Sequence, residues 1–250
     1  MYGQYQLSGG IGQTWPEQTA RDLARGIRGA GSADGASFEP VAPTGSEETG
    51  MAGFVDAQSL AARANRRGQD MTNAPTKDDF VAVRIAVLTV SDTRSLSNDK
   101  SGDTLVARLQ AAGHILAARD ILPDDREAIA EKLRQWSRDP SIDVVLSTGG
   151  TGLTGRDVSV EAHRDVYEKE IDAFSTVFTF VSMQKIGTSA IQSRATGGVA
   201  NGTYMFALPG SPGACKDAWD EILVKQLDIR HKPCNFVEIM PRLDEHLQRK

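Results

Sequence analysis

The sequence predicts an α/β fold: a three-layer α/β/α domain with a mostly parallel central sheet, preceded by a long low-complexity N-terminal extension. Three observations carry that prediction. Val81 to Val90 and Ile142 to Ser147 are near-continuous apolar runs rich in β-branched residues, the pattern of parallel strands covered on both faces. Segments with apolar residues at helical spacing separate such runs, as crossovers between parallel strands require. Each run then breaks into a polar loop at the end where ligands bind in sheets of this kind.

Residues 1–78 promise no core. Glycine, alanine, serine and proline recur through Gly29 to Gly35 and Pro40 to Ser46, and so few large apolar residues cannot offset the entropy of ordering a chain. A disordered extension is expected, with transient helices at 17–28 and 56–67; translation from Met51 or Met71 is the other reading. The domain itself is assigned to residues 79–250.

The texture changes at Phe80. The first strand runs into Ser91-Asp92-Thr93-Arg94 and a polar loop through Gly102, after which Leu105, Val106 and Leu109 mark one face of a helix. His114 to Leu122 reads as a second strand, and Pro123-Asp124-Asp125 as a stop and a helix cap. Ile129, Leu133 and Trp136 carry that helix through Arg138. After the third strand comes Thr148-Gly149-Gly150-Thr151-Gly152-Leu153-Thr154-Gly155-Arg156-Asp157, with Asp157 placed to cap a helix from Val158 to about Ile171. A further helix spans Phe174 to Lys185, its Phe174, Val177, Phe178 and Val181 forming a core-facing or subunit-facing stripe. Gly187 to Gly202 reads as irregular. Tyr204 to Leu208 is the last strand, and Pro212 opens a helix carrying Ala214, Ala218, Ile222 and Leu223.

Composition narrows the chemistry. A formal net charge of −5 gives no basic footprint for nucleic acid or an anionic membrane, and no run of about 18 apolar residues offers a membrane span. Two cysteines, Cys215 and Cys234, and four histidines show neither disulfide nor metal spacing. The expectation is a cytoplasmic protein acting on small molecules or with protein partners.

If the four strands are parallel, the loops Ser91 to Gly102, Pro123 to Asp125, Thr148 to Asp157 and Pro209 to Gly213 share one rim. That rim would carry the carboxylates Asp92, Asp99, Asp124 and Asp157, the cations Lys100 and Arg156, and two glycine-rich turns. This is an inventory for a nucleoside triphosphate with Mg²⁺: backbone amides for phosphates, carboxylate oxygens for the metal, a cation for developing charge. The P-loop and dinucleotide-binding fingerprints are both absent.

Thr148-Gly149-Gly150-Thr151-Gly152 with Arg156-Asp157, Val90-Ser91-Asp92-Thr93-Arg94 upstream and Leu208-Pro209-Gly210-Ser211-Pro212-Gly213 downstream resemble the MoaB/MogA family of molybdenum cofactor biosynthesis. The resemblance spans roughly Val81 to Phe236. Gly152 to Asp157 and the late Gln226 to Arg230 and Lys232 to Phe236 are similar to its MoaB branch. It implies Mg²⁺-dependent transfer of AMP from ATP to molybdopterin, releasing pyrophosphate, or alternatively a non-catalytic molybdopterin-binding or assembly role. It further implies a homotrimer that works beside other molybdenum cofactor enzymes. Asp157 and Asp124 match the acidic positions on which the family's activity depends, and the resemblance implies them as Mg²⁺ ligands. Ser91, Asp92, Asp99, Lys100, Ser101, Gly102, Thr148, Gly149, Gly150, Thr151, Gly152, Arg156, Pro209, Gly210 and Ser211 match the substrate-binding walls. Plainer roles stand beside these: Asp157 and Asp124 as helix-starting residues, Arg156 in a surface ion pair, Ser211 in a turn, Cys215 packing a helix.

Overall fold

The computed structural model describes residues 79–245. The expected disordered extension and its two candidate helices lie outside the described residues. The sheet has six strands in the order β2-β1-β3-β6-β5-β4, where β1 is Arg84–Val90, β2 Ile115–Leu122, β3 Val144–Thr148, β4 Lys169–Glu170, β5 Thr196–Ala200 and β6 Thr203–Leu208. The β2, β1, β3 and β6 strands are mutually parallel, so their following loops do share one rim. Antiparallel β5 hairpins onto β6, and β4 pairs antiparallel with β5 at the edge.

Alternation along the strands builds two cores, one on each face. Ile85 and Val87 of β1, Val144 and Leu146 of β3 and Phe206 of β6 pack under α1 (Lys100–Ala111), α4 (Asp172–Ile186) and α5 (Pro212–Ala218), which continues through a π-turn to Gln226. Ala86, Leu88 and Val90, Val145 and Met205 pack under α2 (Arg126–Arg138) and α3 (Ser159–Arg164). This is the three-layer arrangement that the apolar runs predict, because a strand buried on both faces needs helices on both sides.

Four boundaries differ from expectation. Lys100 to Gly102 are not loop but the first turn of α1, with Asp99 as its N-cap. The helix after the glycine loop stops at Arg164, and the chain turns into β4. Asp157 does not cap that helix: Val158 holds the N-cap position without a side-chain hydrogen bond. Within the stretch read as irregular lie a short 3₁₀ turn, Gly187–Gln192, and the whole of β5. Along α4, Phe174 and Phe178 enter the core and Val181 packs against it, whereas Val177 turns outward.

Candidate active-site rim

The glycine loop after β3 is held from beneath. Gly149 and Gly150 have φ of 104° and 61°, the left-handed region that side chains resist. A Cβ on Gly149 would stand 2.2 Å from the Val90 carbonyl oxygen, and one on Gly150 would stand 2.5 Å from Asp124 Oδ1. Their carbonyls are taken up by Ser159, whose Oγ donates to Gly149 O at 2.7 Å and whose N–H donates to Gly150 O at 2.8 Å. The Gly149 N–H donates to Leu208 O at 3.0 Å, tying the loop to the end of β6. The N–H groups of Gly150 and Thr151 donate to no acceptor among the described residues. Two successive amides at such a turn form an anion-binding concavity.

The outer half of the loop closes on Asp157. Its Oδ2 accepts from Thr154 N–H at 2.9 Å and from Thr154 Oγ1 at 2.6 Å. Those donors, with the Gly152 N–H, hold its carboxyl below the usual carboxylate range. Arg194, from just before β5, completes the loop: its Nε donates to Thr151 O at 2.9 Å and Gly152 O at 3.0 Å, and its guanidinium grips Glu161 of α3. Thr151 is buried behind this clasp.

Asp92 bridges two loops. It accepts from the Asp124 N–H at 3.1 Å through Oδ1 and from Arg156 Nη2 at 2.6 Å through Oδ2. Arg156 holds its carboxyl low. The Arg156 side chain is 67% exposed, so this ion pair is weak and open to exchange for a stronger anion. Asp124 contrasts with both neighbours. Its carboxylate has the Asp92 backbone N–H as a donor, and burial, reinforced by the charges of Asp92 and Asp157, outweighs that donor and the Arg156 charge and pushes it above the usual range.

The other wall is built differently from its sequence reading. Asp99 is fully buried and accepts from Thr89 Oγ1 at 2.6 Å, Arg119 Nη2 at 2.9 Å and the Gly102 N–H at 3.0 Å. Burial opposes its charge, and these donors outweigh burial to hold its carboxyl low. Ser101 and Gly102 are buried with it, and only Lys100 reaches solvent. Arg94 joins this buried cluster to the rim: it donates to Ser101 Oγ, lies 3.6 Å from Asp99 Oδ1, and donates to Gly210 O at 3.0 Å. Ser91 Oγ accepts from the N–H groups of Thr93 and Arg94, fixing the turn that aims Arg94. Thr148 is buried and donates to Pro209 O at 3.0 Å, against the Cys215 thiol at 3.2 Å. Burial pushes that thiol up to about 11, which makes it a packing group. Ser211 caps α5, accepting from the Ala214 N–H at 3.1 Å.

The rim thus gathers Asp92, Asp124, Asp157, Arg156 and the Gly149 to Gly152 backbone, with Pro209, Gly210 and Ser211 as its floor. It withholds Asp99, Ser101 and Gly102 as framework. Sequence reading passed over Arg94, Arg119, Ser159 and Arg194, which do the holding. Arg94 had a signal in its place beside Asp92; Arg194 had none.

Fold and rim define a class: an α/β domain whose strand-end loops gather a glycine turn with free backbone amides and flanking carboxylates. A family model described as "Probable molybdopterin binding domain" matches residues 86–229. Molybdenum cofactor biosynthesis protein B of Escherichia coli K12 is 45% identical over 158 residues, covering 63% of this chain and 93% of that protein. Its Bacillus subtilis counterpart is 41% identical over 146 residues, covering 58% and 86%. A crystal structure of a molybdenum cofactor biosynthesis protein B superimposes with a TM-score of 0.60 at 36% identity, covering 66% of this chain and 98% of that one. The tungsten cofactor synthesizing protein MoaB of Pyrococcus furiosus gives 0.52 at 32% identity, covering 58% and 92%. The chain belongs to the MoaB family.

Proposed function

We propose that this protein acts in molybdenum cofactor biosynthesis by transferring AMP from ATP to the terminal phosphate of molybdopterin. In that reaction an oxygen of the molybdopterin phosphate forms a bond to the α-phosphorus of ATP. The bond from that phosphorus to the bridging oxygen breaks, and pyrophosphate leaves with the electron pair. A phosphate is already a competent nucleophile, so the protein must position and neutralise rather than deprotonate.

The observation that carries this reading is Asp124, a carboxylate raised by burial and by two neighbouring acids, directly over Gly150. Such an arrangement is costly unless a cation or a phosphate-bound metal answers it. The free N–H groups of Gly150 and Thr151 meet phosphate oxygens, and Arg156 exchanges its pairing with Asp92 for the charge that develops during transfer. No group of three or more His, Cys, Asp or Glu among the described residues forms a metal cage. Mg²⁺ takes one or two carboxylates and completes its shell with water and substrate phosphate. Asp124, with Asp157 beside it, would hold the ion, which supplies charge neutralisation on the phosphates when bound. The same reading includes a homotrimer, supported by the apolar outer face of α4.

The test is pyrophosphate release from ATP by the full chain with Mg²⁺ and molybdopterin. Turnover that depends on all three is expected, with Asp124→Asn slower by about a hundredfold or more. Tight molybdopterin binding without AMP transfer would replace this reading with that of a carrier.

A further inference from the structure

Behind the glycine loop stands a histidine that the proposed reaction does not use. His163 is fully buried on α3 and points Nδ1 at the Ser159 carbonyl oxygen, 2.8 Å away. A carbonyl only accepts, so Nδ1 carries the proton and Nε2 is a bare lone pair. That Nε2 is buried with no hydrogen-bond partner among the described residues. Burial keeps the ring neutral, moving its pKa down to about 4.

A buried acceptor without a donor costs stability, and an apolar ring of similar size would fill the space against Tyr167 without that cost. The bond from Nδ1 to Ser159 is what distinguishes histidine here. It matters because α3 has six residues and no side-chain cap, so its first turn has little of its own to hold it. Ser159 opens that turn, and it is Ser159 that takes the carbonyls of both Gly149 and Gly150. With both carbonyls drawn inward, the Gly150 and Thr151 amides are left for a ligand. The Ser147 hydroxyl, two residues before Gly149, is the other buried polar group of this strand end without a partner.

We propose that His163 is a positioning residue that acts through Ser159 to hold Gly149 and Gly150 in their phosphate-binding conformation. The proposal rests on the reading of this loop as the ATP and molybdopterin phosphate site. Three variants of the full chain separate it from a packing role. His163→Asn keeps a donor near the Nδ1 position, His163→Gln moves the donor to the Nε2 position, and His163→Leu keeps only bulk.

The first readout is amide hydrogen exchange of Ser159, whose N–H bonds Gly150 O, in the ligand-free protein. Exchange about tenfold faster in the Leu and Gln variants is expected, the equivalent of one lost hydrogen bond, with the Asn variant within about threefold of the parent. Amides of β1 and β6 should be unchanged, which excludes general unfolding. The second readout is the Kd for ATP with Mg²⁺, expected to weaken in the same order. Equal exchange in all four proteins, or an Asn variant no better than Leu, overturns the proposal. If the parent chain binds no ATP, the phosphate-site reading falls, and the exchange measurement still decides whether His163 sets the loop.

Discussion

Burial and two neighbouring acids raise the Asp124 carboxyl, whereas donors from Thr154 and Gly152 lower that of Asp157. The consequences for stability have opposite signs. A carboxyl raised in the folded state contributes stability that is complete below its unfolded value and is lost as pH rises through the folded one. Charged Asp124 is therefore a liability at neutral pH, and Asp124→Asn should raise Tm there while slowing the proposed AMP transfer. The gain should vanish in acid. Asp157 is the reverse case: its contribution is present above the unfolded value and lost as pH falls through the lowered one. Asp157→Asn should lower Tm at neutral pH, with the deficit closing in acid. Thermal unfolding of both variants from about pH 3 to about pH 7 checks the pair, and shifts of the same sign would refute the assignment. Asp99 is a third kind of carboxylate, wholly committed to the protein. Its replacement by alanine leaves Arg119 with Asp103 alone and strips the buried Thr89 hydroxyl and Gly102 N–H of their acceptor, and should cost about 1–3 kcal/mol in denaturant unfolding.

Strands and helices with a strong period were legible in the sequence; elements shaped by tertiary contact were not. The β1 and β3 runs announced themselves because burial on both faces demands apolar residues at every position. Strand β5, Thr196-Gly197-Gly198-Val199-Ala200, carries no such pattern, since its glycines answer to neighbours distant in sequence. A Cβ on Gly197 would stand 2.8 Å from the Phe206 ring, and one on Gly198 would stand 2.4 Å from the ring of Tyr167. Tyr167 donates from its hydroxyl to Met205 O and cannot readily move aside. Gly198→Ala should therefore cost about 1–3 kcal/mol, read as a lowered denaturant midpoint with β4 and β5 amides losing protection first. The rim was half legible for the same reason. Glycines and exposed acids of the loops advertise a ligand site, but nothing local marks Asp99 as buried or Arg194 as the clasp of a loop some forty residues upstream.

At the scale of the whole molecule, the outer face of α4 is left uncovered by the other described residues. Val177, Phe180, Met183 and Ile186 on the outer face of α4, with Ile191 just beyond, are all exposed, and Phe180 is 62% so. The opposite face of the same helix is anchored in the core by Phe174 and Phe178. A helix apolar on both sides is expected where one side meets the protein's own sheet and the other meets another subunit. The proposed homotrimer uses this outer face, so light scattering should give a mass of three 26.9 kDa chains. Phe180→Glu places a charge in the middle of the stripe, where burial would leave it unpaired, and should shift the mass towards that of one chain. Because Phe180 lies outside the core, far-UV circular dichroism should stay unchanged. A parent protein that scatters as a single chain would remove the trimer from the proposed function, and a variant that stays trimeric would move the subunit contact to another face.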